Sequence, residues 1–236
     1  MAMSKQNKKS VGGDIWMSIS DLMSGLMMVF MLIAIAYMMQ VQSEHQKQQQ
    51  IIDEYAVIKH EIYLDLYDEF KSDLPKWNAE IDEKTLAVTF KEPDVLFGVG
   101  SSALTPQFQA TLNDFLPRYL KILYKDKFRD SIEEIRIEGH TDPSWYGAQT
   151  RKEEYLKNMD LSQQRTRAVL LYTLDIAAPE DKLEWMISKL TANGLSSSQP
   201  IKNENGQIDA ERSRRVEFRV RTNADEKLNN LQEGIK

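Results

Sequence analysis

Cysteine is absent from the 236 residues, which excludes a disulfide framework, a thiol nucleophile and any thiolate metal site. Histidine is scarce: His45, His60 and His140 are the only three, too scattered to suggest a metal triad. Positive charge is not in excess either. Acidic residues outnumber basic ones by 36 to 30, and no Lys/Arg block is interleaved with aromatics, so the footprint of a nucleic-acid binder is missing. No metal site, cofactor or direct nucleic-acid contact is expected. The length suits one globular domain with an anchor and a stalk, not two large cores.

Charge is also missing from residues 22–39, a run that as a helix covers about 27 Å, close to the hydrocarbon thickness of a bilayer. Extending it back to residue 18 completes a single span. The polar Gln40-Val41-Gln42-Ser43 that follows carries no small-x-small cleavage signature, so the run is expected to stay as an anchor. Lys5, Lys8 and Lys9 precede it, while Glu44 and a Gln-rich stretch with only Lys47 follow. The positive-inside rule then places residues 1–17 in the cytoplasm and the C-terminal part outside it.

Asp21 is the one charged residue between Trp16 and Ser43. A carboxylate at a helix centre in lipid costs about 2.5–3.5 kcal/mol, less near an end, and such residues usually face a protein interior or an ion path. Taken alone, Asp21 fits a charge at the headgroup boundary equally well, favoured by the helix dipole. Its neighbours weigh against that. Ser18, Ser24 and Gly25 recur with it at three- and four-residue spacing, a small polar stripe suited to close helix packing and to lining a channel. Seven of the eleven methionines fall in residues 17–39 and read as adaptable packing.

The run Trp16-Met-Ser-Ile-Ser-Asp21-Leu-Met-Ser-Gly-Leu-Met-Met-Val-Phe30 resembles the membrane segment of MotB-type stator subunits. Its wording is closer to the ZorB subunits of Zorya anti-phage defence systems than to flagellar MotB. The resemblance implies that Asp21 carries a transported ion, a proton by preference, and that two copies are encircled by five copies of a multi-span MotA- or ZorA-like subunit in the inner membrane.

Glycine and proline are absent from residues 40–74, where Ile51, Tyr55, Ile58, Ile62, Leu66 and Phe70 recur every three to four positions. One apolar seam on a charged helix needs a partner. The spacing predicts a stalk over residues 40–75 that pairs with its own copy as a parallel coiled coil, hence a homodimer. The alternative is a helix folded back onto its own domain. Pro75 ends the pattern.

Beyond it, strands are predicted at Leu86–Phe90, 94–97, Ile135–Glu138, Leu190–Asn193 and Val216–Val220, and helices from Pro106, over Leu161–Leu174 and from Pro179. The interleaving predicts an α/β class domain over residues 76–222, a mixed sheet covered by helices, with 223–236 as a loose tail. The turn Gly98-Val-Gly-Ser-Ser102 reads as a turn and not a phosphate loop.

Three phrases in this domain, Val95-Leu-Phe97 with Gly100–Leu104, Ile137–Asp142, and Asn158–Arg165 with Ala168-Val169, followed by Ser213–Phe218, resemble the OmpA-like peptidoglycan-binding family in its order. The resemblance implies that Asp142 and Arg165 hold diaminopimelate of the wall peptide, with Asn158 and Arg214 or Arg215 as further contacts. The chemistry suits the ligand: an amino acid centre offers an ammonium for a carboxylate and a carboxylate for a planar guanidinium. On their residues alone, Asp142 and Arg165 fit a structural salt bridge as well. The stretch 143–157 is longer than in short-loop members, placing Trp145, Tyr146 and Arg151–Glu154 at the pocket mouth; Thr166 replaces the usual Ala and Ser213 the usual Asn. No nucleophile–base pair stands out, so the expected activity is wall anchoring with ion-driven work, not catalysis. A flagellar-type stator and a passive membrane-to-wall tether are the alternatives.

Overall fold

The computed structural model describes residues 11–91, 93–98, 100–177 and 180–223. Lys5, Lys8, Lys9 and the tail beyond Asn223 lie outside them. The chain divides between Asp53 and Glu54 into two units, taken separately below.

The first unit is the N-terminal part of helix α1 (Val11–Phe70). Among the described residues, Trp16–Gln50 is the one helical stretch long and apolar enough to cross a membrane. Large apolar side chains along it, from Trp16 to Met39, are exposed on all sides, as a lipid-facing helix requires. Ser18, Asp21, Ser24 and Gly25 fall on one face within two turns of α1, and Ser24 Oγ bonds back to Ser20 O at 2.8 Å.

The second unit begins with the end of α1 and continues through β1 (Ala79–Asp82), β2 (Ala87–Lys91), α2 (Pro93–Leu96), α3 (Pro106–Leu123), α4 (Asp126–Arg129), β3 (Ile132–His140), α5 (Arg151–Ala177), α6 (Glu180–Lys189), β4 (Leu190–Ser196), α7 (Ala210–Ser213) and β5 (Arg215–Thr222). The sheet order is β1-β2-β5-β3-β4. Only β3 and β4 run parallel; the other neighbours are antiparallel. The fold is the α/β architecture that the alternation of strands and helices predicts.

The helix α3 starts where its residues dictate. Thr105 caps it, its hydroxyl accepting from Phe108 N at 3.1 Å, and Pro106 takes the first position, where no amide hydrogen is needed. Its apolar stripe, Phe108, Leu112, Phe115, Leu116, Tyr119, Leu120 and Leu123, is buried. Phe115 forms the hub of the core, with ring centroids 5.2 Å from Phe70 and Phe90 and 5.3 Å from Phe218.

The position of Phe70 corrects the coiled-coil reading of the stalk. Ile62, Leu66 and Phe70 are fully buried against the chain's own domain, and Ile58 packs partly against it, so this half of the seam is closed within one chain. Polar contacts clamp the same helix: Arg118 bonds to Glu69 at 2.7 Å and Asp73 at 3.0 Å, and Lys125 to Asp65 at 2.8 Å. The core therefore reaches back across the expected boundary at residue 75.

Three local differences have plain causes. The expected strand at 94–97 is the short helix α2 and an isolated bridge from Phe97 to Leu104; Leu96 and Phe97 are both buried, where a one-sided strand would bury alternate residues. The edge strand β1 has only four residues and too short a pattern to read. Finally, α5 begins at Arg151, ten residues before the expected Leu161. Thr150-Arg-Lys-Glu153 has the capping-box spacing: Glu153 N donates to Thr150 Oγ1 at 3.2 Å, while Glu153 Oε2 accepts from Gln149 N, the amide before the cap residue, at 2.9 Å.

If the α1 seam belongs to the core, Phe70→Ala should destabilise residues 54–236 by about 3–5 kcal/mol in urea unfolding followed by tryptophan fluorescence. A loss below about 1 kcal/mol would place Phe70 outside the core.

Candidate functional site

Two glycines decide how α5 meets the sheet. A Cβ on Gly139 of β3 would lie 2.7 Å from Thr166 Cγ2 and 3.1 Å from Ser162 O, and one on Gly194 of β4 would collide with the Gln163 backbone. Only hydrogen at both positions lets the helix lie this close. Polar latches hold it there: Ser196 N donates to Ser162 Oγ at 3.1 Å, and Ser196 Oγ to Tyr155 O at 2.9 Å. Thr166, standing where Ala is usual, is accommodated because its buried hydroxyl donates to Ser162 O at 3.1 Å.

Docked this way, α5 forms one wall of an open cavity of about 460 Å³ beyond the end of β3, lined among others by Asp142, Ser144, Asn158, Arg165 and Arg214. Asp142 lies two residues past the end of β3 and is largely buried. Its Oδ1 accepts from the amide and hydroxyl of Ser144, an Asx-type turn that aims the carboxylate. Asn158 Nδ2 donates to Ser144 O at 3.0 Å and braces that turn from α5. Arg214 Nη1 lies 3.3 Å from Asp142 Oδ2. Arg165 Nε donates to Ser101 O at 2.9 Å, and its guanidinium sits 4.8 Å from the centre of the Phe97 ring. Asp142 and Arg214 thus form an ion pair within the cavity.

The structure thus brings Asp142, Asn158, Arg165 and Arg214 to one cavity and excludes Arg215. Arg215 Nε pairs with Glu217 Oε1 at 2.6 Å, its Nη1 bonds the Gln199 and Ser213 carbonyls, and it is buried. Neighbouring residues at a strand start face opposite ways, so only one arginine of the pair can reach the cavity. Ser213, where Asn is usual, accepts from Ile201 N at 2.9 Å and holds the loop before β5. Sequence reasoning missed Ser144, although Asp142-Pro-Ser144 has the spacing of an Asx turn, and the Ser101 carbonyl, which no side-chain pattern marks. Ser18, Asp21, Ser24 and Gly25 belong to the other unit and form no part of this cavity.

With this geometry in view, the known proteins are informative. The model of the OmpA family matches residues 96–214, half of the chain. The chain is 50% identical to Zorya protein ZorB of Escherichia coli (strain Crooks) over 218 residues, 92% of each sequence. It belongs to the ZorB family and carries an OmpA-family domain. Solved structures with a similar fold include a MotB-like protein from Desulfovibrio vulgaris (23% identity, 74% of this chain and 98% of that one, TM-score 0.48). Another is the cell wall anchor of the T6SS from Pseudomonas aeruginosa (21% identity, 66% and 96%, TM-score 0.45).

The sheet of this ZorB-family chain also carries a charged lattice. Glu138, His140 and Glu217 place ligand atoms within 4.8 Å of one another, all buried. Guanidinium groups already neutralise these carboxylates: Arg215 and Arg219 lie 2.6 and 2.7 Å from Glu217, and Arg219 lies 3.2 Å from Glu138. A cation there would have to displace them, so the group reads as an ion-pair lattice. Burial by itself would raise the Glu217 carboxyl, but Arg215, Arg219 and His140 outweigh it and hold it below its ordinary value.

A depressed carboxyl contributes stability that is complete above the unfolded value and is lost as pH falls through the folded one. Glu217→Gln should therefore destabilise the domain by about 3 kcal/mol at pH 7, where Arg215 loses its carboxylate and Arg219 keeps only Glu138. The difference between wild type and variant should shrink as pH falls below the ordinary glutamate range and through the lowered folded value of Glu217, in urea unfolding. Equal stability at pH 7 would contradict the lattice.

Proposed function

We propose that this chain is the wall-anchored B subunit of an ion-driven inner-membrane motor that serves anti-phage defence. The cavity beyond β3 is the observation that carries the anchoring half. It sets one carboxylate, Asp142, beside two guanidinium groups, Arg165 and Arg214, at the rim of an open pocket. An amino acid centre such as the free end of diaminopimelate presents an ammonium to Asp142 and a carboxylate to Arg165. A second carboxylate of the stem peptide would draw on Arg214. The Asp142–Arg214 contact is a rim pair at 3.3 Å, loose enough for a ligand ammonium to join it.

Asp21 supports the motor half, as the lone charge in an apolar span. In this reading the N-terminus is cytoplasmic and the domain periplasmic. Two copies pair inside a ring of five multi-span ZorA- or MotA-like subunits, and Asp21 takes a proton from outside and releases it inward. Ser18, Ser24 and Gly25 line the path. Each change of charge alters which contacts with the surrounding subunit are stable, and the wall holds the B subunit still while its partners move. The 50% identity to ZorB favours this assignment over a flagellar stator.

Asp142→Ala and Arg165→Ala should each weaken pelleting of the chain with insoluble peptidoglycan by roughly tenfold or more, the loss of a charge-assisted bond of about 1.5–3 kcal/mol. Undiminished pelleting would reject the pocket. Asp21→Asn keeps the side chain's size and removes its titration. It should abolish ion conductance and phage protection in cells that also make the multi-span partner. Unchanged conductance would leave a passive tether.

A further inference from the structure

The two faces of the sheet carry different chemistry. Ile135, Ile137, Phe218 and Val220 enter the core, so the alternate residues of β3 and β5 set their charged side chains on the opposite face. There the register puts like against like. Arg136 stands directly across from Arg219, and Glu138 directly across from Glu217. Like charges opposed in this way are destabilising, and a lattice selected for stability alone would set each arginine against a glutamate. The carboxylate contacts of the two arginines run along a strand or diagonally: Arg136 Nε lies 2.7 Å from Glu134, Arg219 Nη2 lies 2.7 Å from Glu217, and Arg219 Nε lies 3.2 Å from Glu138. Such a broken local rule is expected where a site needs the charge.

The arginine row borders a cavity of about 370 Å³ in the second unit, inside the range of roughly 300–1,000 Å³ typical of small-ligand sites. Arg221 extends the row, and two further elements bring cations to it, Lys59 from α1 and Lys84 from the turn between β1 and β2. Against these cations the lining holds a single carboxylate, the buried Glu138. The guanidinium side chains of Arg136, Arg219 and Arg221 are about a quarter to a third exposed. Their glutamate contacts hold them in place, so little rotamer freedom is left to lose when an anion arrives. An ion-pair lattice explains the glutamates beside these arginines. It does not explain lysines from two separate elements at the same cavity.

We propose that this cavity binds a phosphate group, gripped by Arg136 and Arg219, with Arg221, Lys59 and Lys84 adding to the positive field. A cleft lined by one sign of charge concentrates counter-ions, and a guanidinium fork matches phosphate oxygens two at a time. The tetrahedral oxygens of a phosphate suit cations that arrive from α1, the β1–β2 turn, β3 and β5, whereas a planar carboxylate is satisfied by one guanidinium. The cavity shares no lining residue with the one that holds Asp142 and Arg165, so the inference is independent of the wall reading.

The test is calorimetry on the full chain in a phosphate-free, non-ionic detergent. The probes are inorganic phosphate, glycerol 3-phosphate and glycerophosphoglycerol, a soluble phospholipid headgroup, with succinate as the carboxylate control. The wild type should bind a phosphate probe about tenfold more tightly than succinate. Tightest binding of glycerophosphoglycerol assigns the site to a lipid headgroup, and tightest binding of either of the other two assigns it to a free phosphate. Arg136→Gln should weaken that binding about tenfold. Lys84→Gln, in an exposed turn outside the lattice, should weaken it about threefold and leave the urea midpoint unchanged, so the test stands even where Arg136→Gln does not fold. Phosphate probes that do not bind, that bind no better than succinate, or that bind the Lys84→Gln chain as tightly as the wild type overturn the site.

Discussion

The close approach of α5 to the parallel pair β3–β4 is the constraint on which the cavity depends. It requires a missing side chain on each strand, at Gly139 and Gly194. Those two hydrogens bring Asn158 and Arg165, carried by the helix, to Asp142 at the end of β3 and Arg214 before β5. Without them the helix would stand off by the thickness of a methyl group, and a cavity built from two elements would lose its geometry. The hydroxyls of Ser162, Thr166 and Ser196 then satisfy the polar groups that such contact buries.

The rest of the domain makes that docking rigid. The aromatic hub around Phe115 fills one face of the sheet, and the end of α1 closes it through Ile62, Leu66 and Phe70. The Glu138–Glu217–Arg219 lattice orders β3 and β5, the strands that lead to Asp142 and Arg214. Breaking a buried pair of this kind costs more than making it stabilises, so the lattice acts against alternative registers. In the proposed anchoring role, these strands and the seated helix are the path for force on the wall contact.

Much of this was legible in the sequence. The α/β class followed from strands interleaved with helices, and the α3 stripe from seven apolar positions on one face. Asp142, Asn158 and Arg165 stood in phrases whose order carries the resemblance, and one cavity now gathers them. What was illegible has physical causes. A seam of apolar residues states that a helix face is buried but not against what, so Phe70 suited a second copy as well as its own core. Adjacent arginines look equivalent until strand alternation sends Arg214 to the cavity and Arg215 to Glu217. The start of α5 was readable from Thr150 and Glu153 but was overshadowed by the strong periodicity beginning at Leu161.

The central claim is that the cavity between the end of β3 and α5 receives an amino acid centre of the wall peptide. The most direct measurement is a crystal structure of residues 54–236 with a diaminopimelate-containing stem peptide. The account predicts the ligand ammonium at hydrogen-bond distance from the Asp142 carboxylate and the ligand carboxylate on the Arg165 guanidinium, about 2.7–2.9 Å in each case. A peptide seated elsewhere on the domain, with the cavity between Asp142 and Arg165 empty, would contradict it.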